Sequence, residues 1–172
     1  MKNEYRRCFI TVGTTRFDLL VDTLMTAPVL NSLKKMGCKM ITFQIGNSNF
    51  QPGIYDKEGI QINVFRFKDS ILEDIKSADL VISHAGAGSC LETLEAGKPL
   101  LVVVNEELMD NHQLELAEQL QVDGHLYYCT CATLETTLEM LDFNMLKPFP
   151  KPNQTMFLKY LDTALQVKAK SS

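Results

Sequence analysis

The sequence predicts an α/β fold, a parallel sheet with helices on both faces. Three observations carry that prediction. Short apolar runs alternate with longer amphipathic stretches along the 172 residues. Runs such as Leu80-Val81-Ile82 and Leu100-Leu101-Val102-Val103-Val104 are continuously apolar, the mark of strands covered on both faces. A regular strand-helix alternation joins parallel neighbours through crossovers.

The elements follow in order. A strand is expected over 8–12, then the loop Gly13-Thr14-Thr15, then a helix over 16–26. Pro28 lacks a backbone N–H and should interrupt that helical region, so a second helix is placed at 29–36. Gly37 stands where a helix C-cap belongs. Strands are expected at 40–45 and 62–67, and a helix at 71–76. Ser70 and Glu73 have capping-box spacing at its start. After the strand at 80–84, Ser89 and Glu92 repeat that spacing and open a helix over 89–96. Gly97 caps it and Pro99 stops it. A strand at 100–104, a helix at 111–120 and a strand at 126–129 come next. Leu134, Leu138 and Leu141 then share one face of a helix over 134–141. Prolines 148, 150 and 152 make an extended connector, and Phe157, Leu158, Leu161 and Leu165 mark a final amphipathic helix. The expected organisation is an α/β domain over 1–146, a connector over 147–153, and a helix with its tail over 154–172.

Composition narrows the function. Hydrophobic residues make up 45% and charged residues 22%, an ordinary globular balance. The net charge of −4 disfavours a nucleic-acid binder. The first residues, Met1 to Arg7, run directly into a strand and predict no leader. No apolar run reaches the roughly 20 residues that span a bilayer. Five cysteines, an odd number set mostly in apolar segments, suit a reducing cytosol. Cys129 and Cys131 have the spacing of a metal half-site, but no second pair matches it, so both read as structural thiols and no metal is expected.

The stretch from Val81 to Glu92 is the most informative. It reads as a buried strand, a turn with Gly86 and Gly88, and a helix start. Glycine lets backbone approach a ligand with no Cβ in the way. A helix N-terminus offers unpaired N–H groups and about +0.5 of a charge, which attracts phosphate. Three loops should meet at the carboxyl edge of the sheet: Gly13-Thr14-Thr15, 84–89 and 105–113. They carry hydroxyls, His84, and the polar set Asp110, Asn111, His112 and Gln113. That inventory suits a diphosphate and a sugar. The first turn holds only Gly13, so the G-x-G-x-x-G dinucleotide fingerprint is missing, and no P-loop occurs. No D-x-D pair is present to hold a metal on a diphosphate, so the helix N-terminus would stabilise a departing diphosphate instead.

At this point the chain resembles a family. The run Phe9 to Asp18, Phe67 with Lys68-Asp69-Ser70, the segment 78–95, and Asn111 to Ala117 are similar to the small catalytic subunits of the eukaryotic UDP-N-acetylglucosamine transferase of asparagine-linked glycosylation. The resemblance extends over nearly the whole chain. It implies a Rossmann-like domain equivalent to the C-terminal donor-binding half of a GT-B glycosyltransferase, of the family 28 C-terminal type. It also implies addition of the second N-acetylglucosamine to a dolichol-diphosphate-linked sugar. The implied donor is UDP-N-acetylglucosamine, without a metal or other cofactor. The implied partner is a membrane-anchored, acceptor-binding subunit that recruits this one to the cytosolic face of the endoplasmic reticulum, where the lipid-linked acceptor lies. Because the chain supplies one such α/β domain, activity is expected only with that partner, and the final helix is the candidate docking element.

The resemblance also implies roles. Gly13, Thr14, His84, Gly86, Ala87, Gly88 and Ser89 would line the diphosphate. Glu92 would accept from the ribose hydroxyls, and Asn111, His112 and Gln113 would face the donor sugar. Each has a plainer reading. Glu92 closes a capping box with Ser89, Thr14 and Thr15 cap the first helix, His84 is a strand-end residue satisfied by backbone, and Asp110 or Asn111 caps the following helix. His125 reads as structural. No residue is identified as the general base. Two other functions stay open: a nucleotide-sugar-binding or scaffold module without catalysis, and an enzyme using a nicotinamide or methyl-donor cofactor.

Overall fold

The computed structural model describes residues 4–107 and 111–150; Asn111 and His112 are described as backbone only. Among the described residues the strands form one seven-stranded sheet. In chain order the elements are β1 (Arg7–Thr11), α1 (Asp18–Leu24), α2 (Ala27–Lys35), β2 (Met40–Gln44), β3 (Gly53–Lys57), β4 (Ile60–Phe65), α3 (Leu72–Ser77) and β5 (Leu80–His84). They continue with α4 (Ala87–Glu95), β6 (Leu100–Val104), α5 (Asn111–Val122), β7 (Tyr127–Thr130), α6 (Leu134–Met140) and a 3-10 turn at Phe143–Met145.

Across the sheet the order is β3-β4-β2-β1-β5-β6-β7. All pairs are parallel except β3 with β4. Leaving β3 aside, the parallel strands run 3-2-1-4-5-6, the doubly wound order, whose direction of winding reverses between β1 and β5.

Alternating side chains explain why both faces are covered. In β1, Cys8 and Ile10 join one apolar cluster while Phe9 joins the other. Leu80 and Ile82 of β5 likewise oppose Val81. The first face carries α1, α2 and α6 through Leu20, Leu24, Leu30, Leu33, Leu134 and Leu138. The second carries α3, α4 and α5 through Ile75, Leu91, Leu94, Leu116 and Leu120. Every residue of β6 is buried, as its apolar run requires.

Several expectations need correction. The sheet is not wholly parallel: β3 is an antiparallel edge strand that the sequence pattern did not reveal. It has only two apolar residues and a mostly exposed surface. It turns into β4 through Glu58 and Gly59, both at positive φ, the requirement of a two-residue hairpin loop. Consequently β4 begins at Ile60 and ends at Phe65, two residues earlier than predicted, with Ile60, Ile62 and Val64 facing inward.

Helix α4 opens at Ala87, not at Ser89. Gly86 is its N-cap, and the Cys90 N–H closes the first turn on the Gly86 carbonyl. Ser89 therefore lies inside the helix and caps nothing. At α3 the box is half formed: Ser70 Oγ accepts from the Leu72 N–H at 3.2 Å, but Glu73 turns toward Lys76. The first helix starts at Asp18 with Phe17 as N-cap, and Thr15 Oγ1 donates to the Val12 carbonyl instead of capping it. Pro28 sits in the first turn of α2, where its missing N–H costs nothing. Asp110 and the C-terminal helix predicted over 154–172 lie outside the described residues. Just before the latter, Phe149 is buried with its ring edge-on to His125, whose Nδ1 meets the Lys147 carbonyl at 3.2 Å.

Candidate functional site

The reversal of winding leaves the carboxyl ends of β1 and β5 side by side with their loops diverging. Such a crevice is where doubly wound sheets take ligands. A cavity of about 390 Å³ lies there. Gly13, Thr14 and Thr15 form one wall after β1, and His84, Gly86, Gly88, Ser89 and Glu92 form the opposite wall after β5. Gln44 at the end of β2, with Lys68, Asp69, Ser70 and Ile71 after β4, completes it.

His84 organises the floor. Its ring is wedged between two glycines. A Cβ on Gly13 would stand 2.8 Å from the ring Cε1, and one on Gly86 only 2.5 Å from Nε2. Gly13 also holds φ at +63°, which disfavours any side chain. Nδ1 is buried without a hydrogen-bond partner. Burial pushes the imidazole pKa below its usual 6.5, with the Thr11 carbonyl working the other way. The ring is therefore neutral at pH 7, with one N–H to give. The His84 carbonyl accepts from Ser83 Oγ at 2.8 Å and from the Cys90 thiol at 3.7 Å. Burial drives that thiol up to about 12, so Cys90 supports the loop and is no nucleophile.

Gly88 differs from the other two. A Cβ placed there meets no atom within 4 Å. The space it leaves open belongs to the cavity. The N–H groups of Ala87, Gly88 and Ser89 precede the first intrahelical bond, no side chain caps them, and the first turn of α4 holds no acidic residue. A helix N-terminus of this kind favours an anion. Glu92 stands one turn further along, exposed on the same wall. At the far wall Lys68 supplies positive charge. Its Nζ is 2.9 Å from Asp74 and 4.3 Å above the Phe65 ring. Beneath, Thr11 Oγ1 donates to Gln44 Oε1 at 2.6 Å and accepts from the Gly13 N–H at 2.8 Å, fixing the start of the β1 loop.

Of the predicted residues, Gly13, Thr14, His84, Gly86, Gly88, Ser89 and Glu92 meet at this cavity. Ala87 does not line it; its methyl packs against the core. Gln113 is exposed on the first turn of α5 and is not part of the lining. Asn111 and His112 share that turn. Gln44, Lys68, Asp69, Ser70 and Ile71, which also line it, were given no donor-site role from sequence. A larger groove of about 1010 Å³ lies at the amino ends of the strands, between Tyr5, α2 and α6, and contains none of the predicted residues.

The model of the glycosyltransferase family 28 C-terminal domain matches residues 7–166. The chain belongs to that family. Among curated relatives, the UDP-N-acetylglucosamine transferase subunit ALG13 of Homo sapiens is 55% identical over 126 residues, 73% of this chain and 11% of the human protein. The Saccharomyces cerevisiae protein of the same name is 43% identical, with 92% of this chain and 95% of the yeast protein covered. The chain thus spans about a tenth of the human relative and nearly all of the yeast one. The solution structure of ALG13 superposes with a TM-score of 0.72 at 27% identity, over 92% of this chain and 96% of that one. Acinetobacter baumannii MurG gives 0.59 at 20% identity, over 96% of this chain and 46% of MurG, a likeness of fold alone. Among the described residues no helix is long and apolar enough to cross a membrane, and no three His, Cys, Asp or Glu cluster as a metal site would need.

Proposed function

We propose that this family 28 domain is the donor-binding catalytic subunit of a UDP-N-acetylglucosamine transferase. The reaction is addition of the second N-acetylglucosamine to dolichol-diphosphate-linked N-acetylglucosamine. The observation that carries the proposal is the uncapped, acid-free start of α4, open at Gly88, with Glu92 one turn beyond on the same cavity wall. The names of the relatives supply the donor and the word subunit.

In this reading the N–H groups of Ala87, Gly88 and Ser89 receive the diphosphate, with Gly13, Thr14 and the neutral His84 ring facing it. Glu92 accepts from the ribose hydroxyls. Asn111, His112 and Gln113 face the sugar from the start of α5. The acceptor hydroxyl attacks the anomeric carbon and gives its proton to a base, and the bond from that carbon to the phosphate oxygen breaks. UDP departs with its added charge against the α4 N-terminus, a fixed dipole that needs no reorganisation. No base is assigned on this chain. A membrane-anchored partner at the cytosolic face of the endoplasmic reticulum presents the lipid-linked acceptor, and no metal or cofactor enters the reading.

Calorimetric titration of the purified chain with UDP and UDP-N-acetylglucosamine tests the proposal, with NAD and S-adenosylmethionine as controls. Selective binding of the two uridine ligands is expected. Binding of either control in their place overturns it. A second series with the partner subunit present separates transferase from binding module. In the enzyme, Glu92→Ala abolishes transfer while the complex stays intact.

A further inference from the structure

The first residue after β4, Arg66, is half-buried and its guanidinium grips one loop. Nη1 donates to the carbonyls of Gly46 at 3.1 Å and Ser48 at 2.7 Å, and Nη2 to that of Phe50 at 3.2 Å. All three acceptors belong to the connection between β2 and β3. The other side of that connection holds the segment after β1. The Asn47 N–H donates to the Thr15 carbonyl at 3.0 Å and Asn47 Nδ2 to the Thr14 carbonyl at 3.1 Å. Ser48 Oγ accepts from the Phe17 N–H at 3.0 Å, and the Asn49 N–H donates to the Asp18 carboxylate at 2.7 Å. Gly46 lies so close that an added Cβ would stand 2.3 Å from the Thr15 carbonyl oxygen. The wall formed by Thr14 and Thr15 thus rests on a loop that Arg66 fastens to the sheet.

We infer that Arg66 is a positioning residue for the donor cavity, setting the Gly13-Thr14-Thr15 wall through the loop at 46–50. The inference deepens the donor-site reading and rests on it. The planar fork of a guanidinium can reach three carbonyls at once, whereas an ammonium at the same place is a point donor. Arg66→Lys keeps the charge and loses the grip.

The test compares the unsubstituted chain with Arg66→Lys, Asn47→Ala and the double variant. Hydrogen exchange at the Asn47 amide reports the loop directly, and UDP titration reports the cavity. In Arg66→Lys the Asn47 amide is expected to exchange about tenfold faster while core amides keep their protection. UDP affinity is expected to fall about tenfold, since small misplacements of a binding wall are costly. Asn47→Ala, an exposed position that leaves every Arg66 contact in place, should lower affinity by a smaller factor. The double variant should lose less than the product of the two, because both act through one loop. Unchanged exchange and affinity in Arg66→Lys overturn the inference, and so do strictly multiplicative losses. If Arg66→Lys fails to fold, Asn47→Ala decides, and wild-type affinity in that variant overturns the inference. If the parent chain binds no UDP, the donor reading falls, and exchange at Asn47 alone decides whether Arg66 sets the wall.

Discussion

The two walls of the cavity are built in opposite ways. The wall after β5 is held mostly by its own segment, with the His84 ring also bearing on Gly13. Within nine residues it contains the strand end, the His84 wedge, the Gly86 cap and the α4 N-terminus, and its carbonyl at His84 is held by its own Ser83 and Cys90. The wall after β1 is supported from outside. Thr14 and Thr15 lean on Gly46 and Asn47, which come from a different crossover and are fastened in turn by Arg66. A wall built mostly of local contacts is disturbed mainly by change to itself. A wall of borrowed contacts couples the cavity to the edge of the sheet.

Substituting the contact glycine of each wall breaks the comparison most sharply. Gly46→Ala puts a Cβ against backbone, 2.3 Å from the Thr15 carbonyl and 2.8 Å from that of Gly13, at a φ of +53°. Backbone cannot swing aside, so the loss should be about 3 kcal/mol of stability by urea denaturation. In Gly86→Ala the atoms nearest the new Cβ all belong to the His84 ring, the closest at 2.5 Å. The ring must shift into the cavity, so stability should fall by only about 1 kcal/mol while UDP affinity falls on the order of 100-fold. Equal stability losses in the two variants would show that the walls are not differently supported.

A smaller effect sharpens the role of the wall after β5. Glu92 is exposed and its removal should leave stability within about 0.5 kcal/mol of the parent. Glu92→Gln should weaken UDP about tenfold, the scale of a hydrogen bond to a charged acceptor. The parent should discriminate against 2′-deoxy-UDP by a similar factor, and the variant should not. A variant that still distinguishes the two nucleotides would remove Glu92 from the ribose.

The same division governs what was legible in the sequence. The central strands announce themselves because burial on both faces demands unbroken apolar runs, as in β5 and β6. The local wall was legible too, since its glycines, histidine and acid lie within one short segment. The borrowed wall was not. Its support passes through Gly46, Asn47 and Arg66, separated along the chain and joined only by a sheet edge whose strand, β3, is polar and exposed. The hairpin signal was present in Glu58-Gly59, but one glycine beside a glutamate is a weak sign of two positive φ values. Missing that strand displaced the end of β4 by two residues, which hid that Arg66 emerges at the carboxyl edge. The Ser89-Glu92 pattern misled for a different reason. A capping box requires its serine before the first turn, and here Gly86 opens the helix three residues sooner. Gln113 was placed at the carboxyl edge by its loop and turned to the sugar by resemblance alone, and no local geometry in the chain could have said which way the first turn of α5 faces.

The least of these effects concerns protons. Burial holds the His84 pKa below the usual 6.5 in the native protein, and unfolding restores it. Between those two values the unfolded chain binds more protons than the native one, so stability rises with pH through that window and levels off above about pH 6.5. Acidification from about pH 7.5 should therefore lower the melting temperature, and His84→Gln should lose that part of the slope. Saturating UDP should flatten the slope in the parent, because an anion beside the ring raises its native pKa toward the unfolded value. Melting curves across the series, with and without nucleotide, check both. A slope unchanged by His84→Gln would mean that the ring accepts its proton in the folded state as readily as outside it, and the wedge between Gly13 and Gly86 would then not exclude the charged form.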